Sequence, residues 1–216
     1  MKNSKIILPD LESLKADIRE YLDNDMVNTV LILSDEVYSA ACNDEEFMDS
    51  LMGADTLLAS NTLMVRDIMK KNNGITVEVE GKEEDYSNFE YNSFDEVVAI
   101  FKELNATVYL LTQDEKEMEK CRILLKMDAP EINSWERCCE DIENSSDTIL
   151  NEINGIAPDV LICSFDSPFQ EKWIMANKDK MNTKMVLGIG PGVSKAKKNK
   201  PSAREYIRNL FKKKKS

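Results

Sequence analysis

Along the 216 residues, short apolar and β-branched runs alternate with stretches whose apolar residues recur at helical spacing. The runs NTVLIL (28–33), TLLAS (56–60), TVEVE (76–80), ATVYLLT (106–112), PDVLICSF (158–165) and KMVLGIG (184–190) predict strands, with a shorter one at PEINS (130–134). Helices are predicted over 10–23, 36–51, 61–73, 93–105, 114–127, 144–156 and 168–181. VYLL and VLIC are almost continuously hydrophobic, the habit of parallel strands covered by helices on both faces. The expected fold is therefore α/β, a Rossmann-like sandwich of mostly parallel strands flanked by helices. Residues 1–193 would form this domain, and 194–216 a basic amphipathic C-terminal helical tail. The acidic stretch EGKEEDYSNFEYN (80–92) reads as a surface loop, and no internal repeat is legible. Ligands of such sheets bind beyond the carboxyl ends of the strands, which points to the loops at 33–36, 59–62, 112–115, 165–170 and 188–193.

A hydrophobic content of 42% is enough for a sizeable core, and no apolar run approaches the roughly 18 residues of a membrane span. The first residues, MKNSKIILPDLESL, lack the apolar length and small-residue cleavage site of a secretory signal, so a cytoplasmic location is expected. The five cysteines are odd in number and have no metal-ligand spacing, which suits buried or half-buried free thiols. Histidine is absent. That excludes a histidine general base, a Ser-His-Asp triad and a histidine-ligated metal, and leaves proton transfer to Asp, Glu, Lys, Tyr or Cys.

The net charge of −12 is unevenly spread. Residues 195–216 hold ten Lys or Arg against the single acid Glu205, about +9, so the remainder carries 18 bases and 39 acids, or −21. Such an acidic body repels phosphate backbones, which argues against nucleic acid as a partner.

The most distinctive stretch is CSFDSPFQEKWIMANKDKMNTKMVLGIG (163–190). Pro158-Asp159, an apolar strand, Ser167-Pro168, Gln170-Glu171-Lys172-Trp173, a helix and Gly188-Ile189-Gly190 follow in order. This segment resembles the C-terminal signature of the WecG/TagA/CpsF family of bacterial glycosyltransferases. EVYSAACNDEEF (36–47), GADTLLA (53–59) and TVYLLT (107–112) are weaker echoes, so the resemblance covers most of 28–190. It implies transfer of N-acetylmannosamine or a related sugar from a UDP donor to a lipid-diphosphate-linked sugar at the inner membrane face. Neither cofactor nor metal is implied, and self-association into a homo-oligomer is. Read on their residues, Ser167-Pro168 suits a helix start with Ser as cap and Pro in the first helical position. Gln170 could donate and accept at a sugar or uracil edge, and Trp173 offers a stacking face. A plain helix start with Trp173 in the core accounts for the same residues. Gly188 and Gly190 complete the substrate-binding set on this edge.

The chain departs from the family pattern at four places, all in loops of the expected ligand edge. Where the resemblance implies an Asp-Gly carrying the general base, Ser60-Asn61 stands. A neutral serine takes no proton at pH 7 without a neighbouring base. A Thr-x-Asn strand end is replaced by Ile32-Leu33-Ser34. A Gly-Gly turn has become Thr112-Gln113-Asp114-Glu115, whose carboxylates would repel a diphosphate by about 1 kcal/mol per close pair. The last glycine turn continues as Pro191-Gly192-Val193, without the usual Phe-Asp. Asp35, Glu36 and Asp166 are the candidate substitute bases, with Ser34, Ser60, Asn61 and Ser167 lining the site.

In the tail, Tyr206, Ile207, Leu210 and Phe211 share one helical face, and Arg204 and Arg208 share another. A basic amphipathic helix ending in four lysines suits an anionic membrane surface, at about 1 kcal/mol per lysine. The resemblance further implies that Arg204 and Arg208 meet the diphosphate. A solvated terminus without partner, or docking onto the acidic body, are the other readings. Two functions thus stand open. One is a divergent UDP-sugar transferase of cell-envelope polysaccharide synthesis, of teichoic acid or exopolysaccharide type, peripheral on the membrane. The other is a catalytically inactive relative serving as a binding or assembly partner.

Overall fold

A computed structural model describes residues 5–8, 11–59, 76–79, 93–128 and 131–190. Among these residues, eight strands form one parallel sheet in the order β4-β1-β3-β2-β8-β7-β5-β6. They are β1 (Lys5–Leu8), β2 (Asn28–Leu33), β3 (Thr56–Ala59), β4 (Thr76–Val79), β5 (Val108–Thr112), β6 (Ser134–Cys138), β7 (Val160–Ser164) and β8 (Met185–Gly188). The described helices are α1 (Leu11–Asp23), α2 (Asp35–Ala41), α3 (Glu45–Met52), α4 (Ser93–Glu103), α5 (Glu115–Asp128), α6 (Ile142–Ile156) and α7 (Phe169–Asn177). The α/β sandwich expected from the alternation is thus present, and every described strand pair is parallel.

Alternation along each strand sorts the core into two layers. Leu31, Leu33, Tyr109, Leu111, Leu161, Cys163 and Val186 face α2, α3, α6 and α7. Val30, Val108, Leu110, Val160, Ile162, Met185 and Leu187 face α1, α4 and α5. The division follows from handedness. A right-handed crossover that moves one way along a parallel sheet must pass over one face, and a return must pass over the other. The steps β2 to β3, β6 to β7 and β7 to β8 run one way and use the first face; β1 to β2, β4 to β5 and β5 to β6 run the other way and use the second.

Two strands depart from the sequence reading. KIIL at 5–8 is a strand, and the short strand expected at 130–134 is instead Ser134–Cys138, which among the described residues pairs only with β5. Its Ser134, Trp135 and Glu136 are exposed, so no buried apolar alternation marks it. The helix expected over 36–51 is two helices. Asp44 accepts from the Phe47 N–H (3.0 Å) and starts α3, while Ser34 accepts from the Val37 N–H (3.2 Å) and starts α2. The last predicted helix ends at Asn177 and continues as a 3-10 turn through Lys180. The helix expected at 61–73, the acidic loop at 80–92 and the tail lie outside the described residues.

At the amino edge, two clasps of the same design join paired stretches. Asp55 accepts from the Thr29 N–H (2.7 Å) and hydroxyl (2.8 Å), and its own N–H donates to Thr29 Oγ1 (3.1 Å). Asp159 does the same with Thr107, at 2.8, 2.7 and 2.9 Å. One clasp joins the second residue of β2 to the residue before β3, and the other joins the residues just before β5 and β7, so a local repeat that the sequence does not advertise exists in three dimensions.

Candidate functional site

The loops singled out from the sequence leave the sheet at its carboxyl edge, and their order is set by strand order. β8 lies between β2 and β7, with Gly188 level with Leu31 on one side and Cys163 on the other. Gly190 therefore emerges between the loop that starts at Ser34 and the loop 165–168. β7 in turn neighbours β5, with Ser164 level with Thr112. Adjacent β5 and β7 leave for opposite faces, β5 into α5 and β7 into α7, which makes their carboxyl ends a topological switch point. Gln113 and Asp166 face each other across it, with the Asp166 N–H donating to Gln113 Oε1 at 3.4 Å.

Ser34 spends its hydroxyl on capping α2, and Asp35 and Glu36 occupy that helix's first turn, with Glu36 exposed. Asp166 is exposed at the switch point. Ser60, Asn61, Arg204 and Arg208 lie outside the described residues. Asp114, read from the sequence as repelling a diphosphate, caps α5 by accepting from the N–H groups of Lys116 (2.8 Å) and Glu117 (2.9 Å). Its charge thus faces the positive end of a helix dipole.

The turn into α7 differs in detail from the expected cap. The Ser167-Pro168 peptide bond is cis, Pro168 rather than Ser167 holds the cap position, and no side chain caps the helix. The Ser167 hydroxyl donates instead to Glu171 Oε2 at 2.7 Å. Gln170 is fully buried. Its Oε1 accepts from the N–H groups of Phe165 (3.2 Å) and Gly190 (3.0 Å), and its Nε2 donates to Glu171 Oε1 (3.1 Å). Trp173 is 4% exposed. It meets the Phe165 ring edge-on at 5.7 Å, and its Nε1 donates to Ser146 Oγ at 2.8 Å. Both residues read as ligand candidates are thus engaged within the protein and brace the edge from below. Gly188 makes room for this brace, since a Cβ there would stand 3.0 Å from Gln170 Nε2 and 2.7 Å from Leu31 Cδ2. Gly190 adopts φ +64°, a left-handed conformation suited to glycine, and points its N–H at Gln170.

Sequence reasoning assigned no site role to Glu171, Ser164 or Glu117, which are buried beneath this edge together with the thiols of Cys163 and Cys121. Glu171 is 1% exposed, and burial raises its pKa, with the Ser167 and Gln170 hydrogen bonds opposing in part. Below it, burial first and the Glu171 charge second push the Cys163 thiol up. On the other face Ser164 Oγ lies 3.0 Å from the Gly190 carbonyl and 3.3 Å from Glu117 Oε1, donating between them, and Lys120 pairs with Glu117 at 2.9 Å. The Cys121 thiol beside them is pushed up to about 12, mainly by burial. The available signal was the position of Glu117 and Glu171 in the first turn of helices that follow β5 and β7; their burial depends on tertiary packing. Two surface clefts of about 600 and 270 Å³ share Asp159, and both lie at the amino edge, away from these loops.

Comparison with known proteins places the chain. A model of the glycosyl transferase WecG/TagA/CpsF family matches residues 3–210. An N-acetylglucosaminyldiphosphoundecaprenol N-acetyl-beta-D-mannosaminyltransferase of Staphylococcus aureus (strain MRSA252) is 22% identical over 176 residues, 81% of this chain and 65% of that protein. The protein of the same name from strain NCTC 8325 / PS 47 is 21% identical over the same shares. The chain therefore spans 65% of the length of these relatives.

Proposed function

The chain belongs to the WecG/TagA/CpsF family of glycosyl transferases, and we propose that it transfers a sugar from a UDP-sugar donor to a lipid-diphosphate-linked sugar in cell-envelope polysaccharide synthesis. The observation that carries the reading is the convergence of two parts of the family-like segment, 164–170 and 188–190, on one sheet edge. There the ends of β2, β8, β7 and β5 lie side by side around a topological switch point. By analogy with the Staphylococcus aureus relatives, N-acetylmannosamine is the sugar and an N-acetylglucosaminyl-diphospholipid the acceptor. Asp166 is the favoured substitute base, since it is exposed at the switch point beside Gln113, and Asp35 and Glu36 are the alternatives on the β2 side. Arg204, Arg208 and the lysines that follow would meet diphosphate and anionic membrane surface, at about 1 kcal/mol per lysine.

Two observations favour the second reading, a catalytically inactive family member acting as a binding or assembly partner. Gln170 and Trp173 are satisfied by protein partners, and Ser60 stands in place of the expected aspartate.

Thermal unfolding with UDP-N-acetylmannosamine, followed by a turnover assay where the donor binds, separates the two. Donor at 100 times its dissociation constant stabilises the fold by about 2.7 kcal/mol. An unshifted melting temperature at millimolar donor counts against a transferase. If the donor binds, Asp166→Asn should lower turnover about 100-fold or more with little change in the melting shift; unaltered turnover removes Asp166 as base.

A further inference from the structure

We propose that Glu171 is a positioning residue of this edge, whose carboxylate orients the Gln170 amide and thereby fixes the ends of β7 and β8 and the Ser167 turn for sugar transfer. The inference rests on the transferase reading of the same edge. A glutamine amide has two chemically different ends, and packing alone discriminates poorly between them. Here Oε1 faces two backbone donors, the N–H groups of Phe165 and Gly190. The flipped amide would set its own N–H groups against both. Glu171 Oε1, 3.1 Å from Nε2, accepts from the nitrogen end and so selects the productive orientation. Its other oxygen takes the Ser167 hydroxyl at 2.7 Å and ties the turn that precedes α7 to the same carboxylate.

The surroundings support orientation as the role. Gln170 is 0% and Glu171 1% exposed, so neither relies on bulk water. Gln170 Nε2 is wedged beside the vacant Cβ position of Gly188. Lys172, the next residue, turns away to pair with Asp44 at 3.3 Å, so Glu171 is held by neutral donors. Burial disfavours its charge. A leucine of similar volume would fill the space without that cost, and what the carboxylate adds is a pair of acceptors in fixed directions. The groups it fixes border the site: Gly190 leads out of β8, and Phe165 precedes the exposed Asp166.

Residue-resolved amide hydrogen exchange on the full chain tests this. Glu171→Leu should speed exchange of the Phe165 and Gly190 amides at least tenfold, while the Leu161 amide within β7 keeps its rate. Glu171→Gln can still accept from Gln170 through its oxygen and donate to Ser167, and should keep both amides within threefold of wild type. In transfer assays with UDP-N-acetylmannosamine and a lipid-diphosphate N-acetylglucosamine acceptor, the leucine variant should lose at least tenfold in kcat with donor KM within threefold, and the glutamine variant should recover it. Three results overturn the assignment: wild-type exchange in the leucine variant, equal loosening in the glutamine variant, or loosened amides with unchanged kcat. Should the leucine variant fail to fold, the wild-type Gln170 side-chain NH₂ decides, because solvent-like exchange there contradicts a buried carboxylate contact. Exchange needs no substrate. Absent turnover in wild type would therefore speak against the transferase reading alone, with the orienting role judged on the amides.

Discussion

Gly188 sits in β8 where Leu31, Gln170 and Ile174 close on its Cα from two neighbouring elements. A methyl group there must displace buried side chains, an overpacking cost of about 1–3 kcal/mol. Gly188→Ala should lower the urea midpoint accordingly, and an unchanged midpoint would mean that the Gln170 slot is looser than its contacts indicate. Glu171 makes a prediction of a different kind. Its pKa is raised on folding by burial, so the folded protein holds that proton to higher pH than the unfolded chain does. The stability tied to it is fully present below its ordinary 4.5 and is lost as pH rises through the folded value. Glu171→Gln removes that loss. Its stability relative to wild type should therefore grow between pH 4.5 and 8 in chemical denaturation, and a constant difference would show that the carboxylate titrates as it does unfolded. Neither behaviour could be read from the sequence, where Gly188 and Gln170 stood as ligand contacts. Their roles depend on which neighbours the sheet brings to them.

Among the elements, the amino-edge clasps hold pairs of strands in register. Removing Asp55 or Asp159 strands the backbone N–H and hydroxyl of Thr29 or Thr107, and Thr29 is fully buried. Asp55→Ala and Asp159→Ala should each cost about 1–3 kcal/mol. The two clasps share no partner and are separated by β8, so the double variant should be additive within about 0.5 kcal/mol. Strong non-additivity would indicate that the two halves of the sheet do not respond independently. Helix α6 ends on Ala157 at φ 52°, ψ 58°, a left-handed cap that costs a residue with a Cβ about 1–2 kcal/mol. Glycine relieves that strain but gains about 0.4–1 kcal/mol of unfolded-state freedom. Ala157→Gly should therefore raise stability by up to about 1 kcal/mol, visible as a higher melting temperature; a lower one would locate the strain elsewhere. Six of the eight described strands announced themselves through apolar, β-branched runs. β1 is only four residues long, and β6, with three exposed residues at its start, lacks the buried alternation that sequence patterns detect.

Across the chain, charge is arranged as an acidic body of −21 and a basic terminal stretch of +9, which together give the net −12. Interactions of exposed lysines are screened within about 10 Å at 0.1 M salt. If the terminal stretch supplies membrane contact, the full chain should float with anionic liposomes at low salt and lose that association at about 0.5 M. A variant lacking residues 200–216 should not float at either salt, and equal flotation of both forms would reject the role. None of the described helices is long and apolar enough to cross a membrane.

Local order in the chain was enough for the fold class, because near-continuous apolar runs between amphipathic helices can be buried only as parallel strands covered on both faces. It was also enough for the family, because the Pro-Asp, Ser-Pro and Gln-Glu-Lys-Trp groups follow in order at their characteristic spacing. Side-chain roles at the edge required the folded chain. Whether Gln170 meets a ligand or a backbone depends on β8 lying beside β7, an adjacency between residues 25 apart in sequence that only packing and strand pairing set. The switch point likewise exists because β5 and β7, 52 residues apart at their paired ends, leave the sheet in opposite directions. Periodicity reports which face of an element is buried; which elements share that burial is fixed by crossover handedness and by the fit of the two cores.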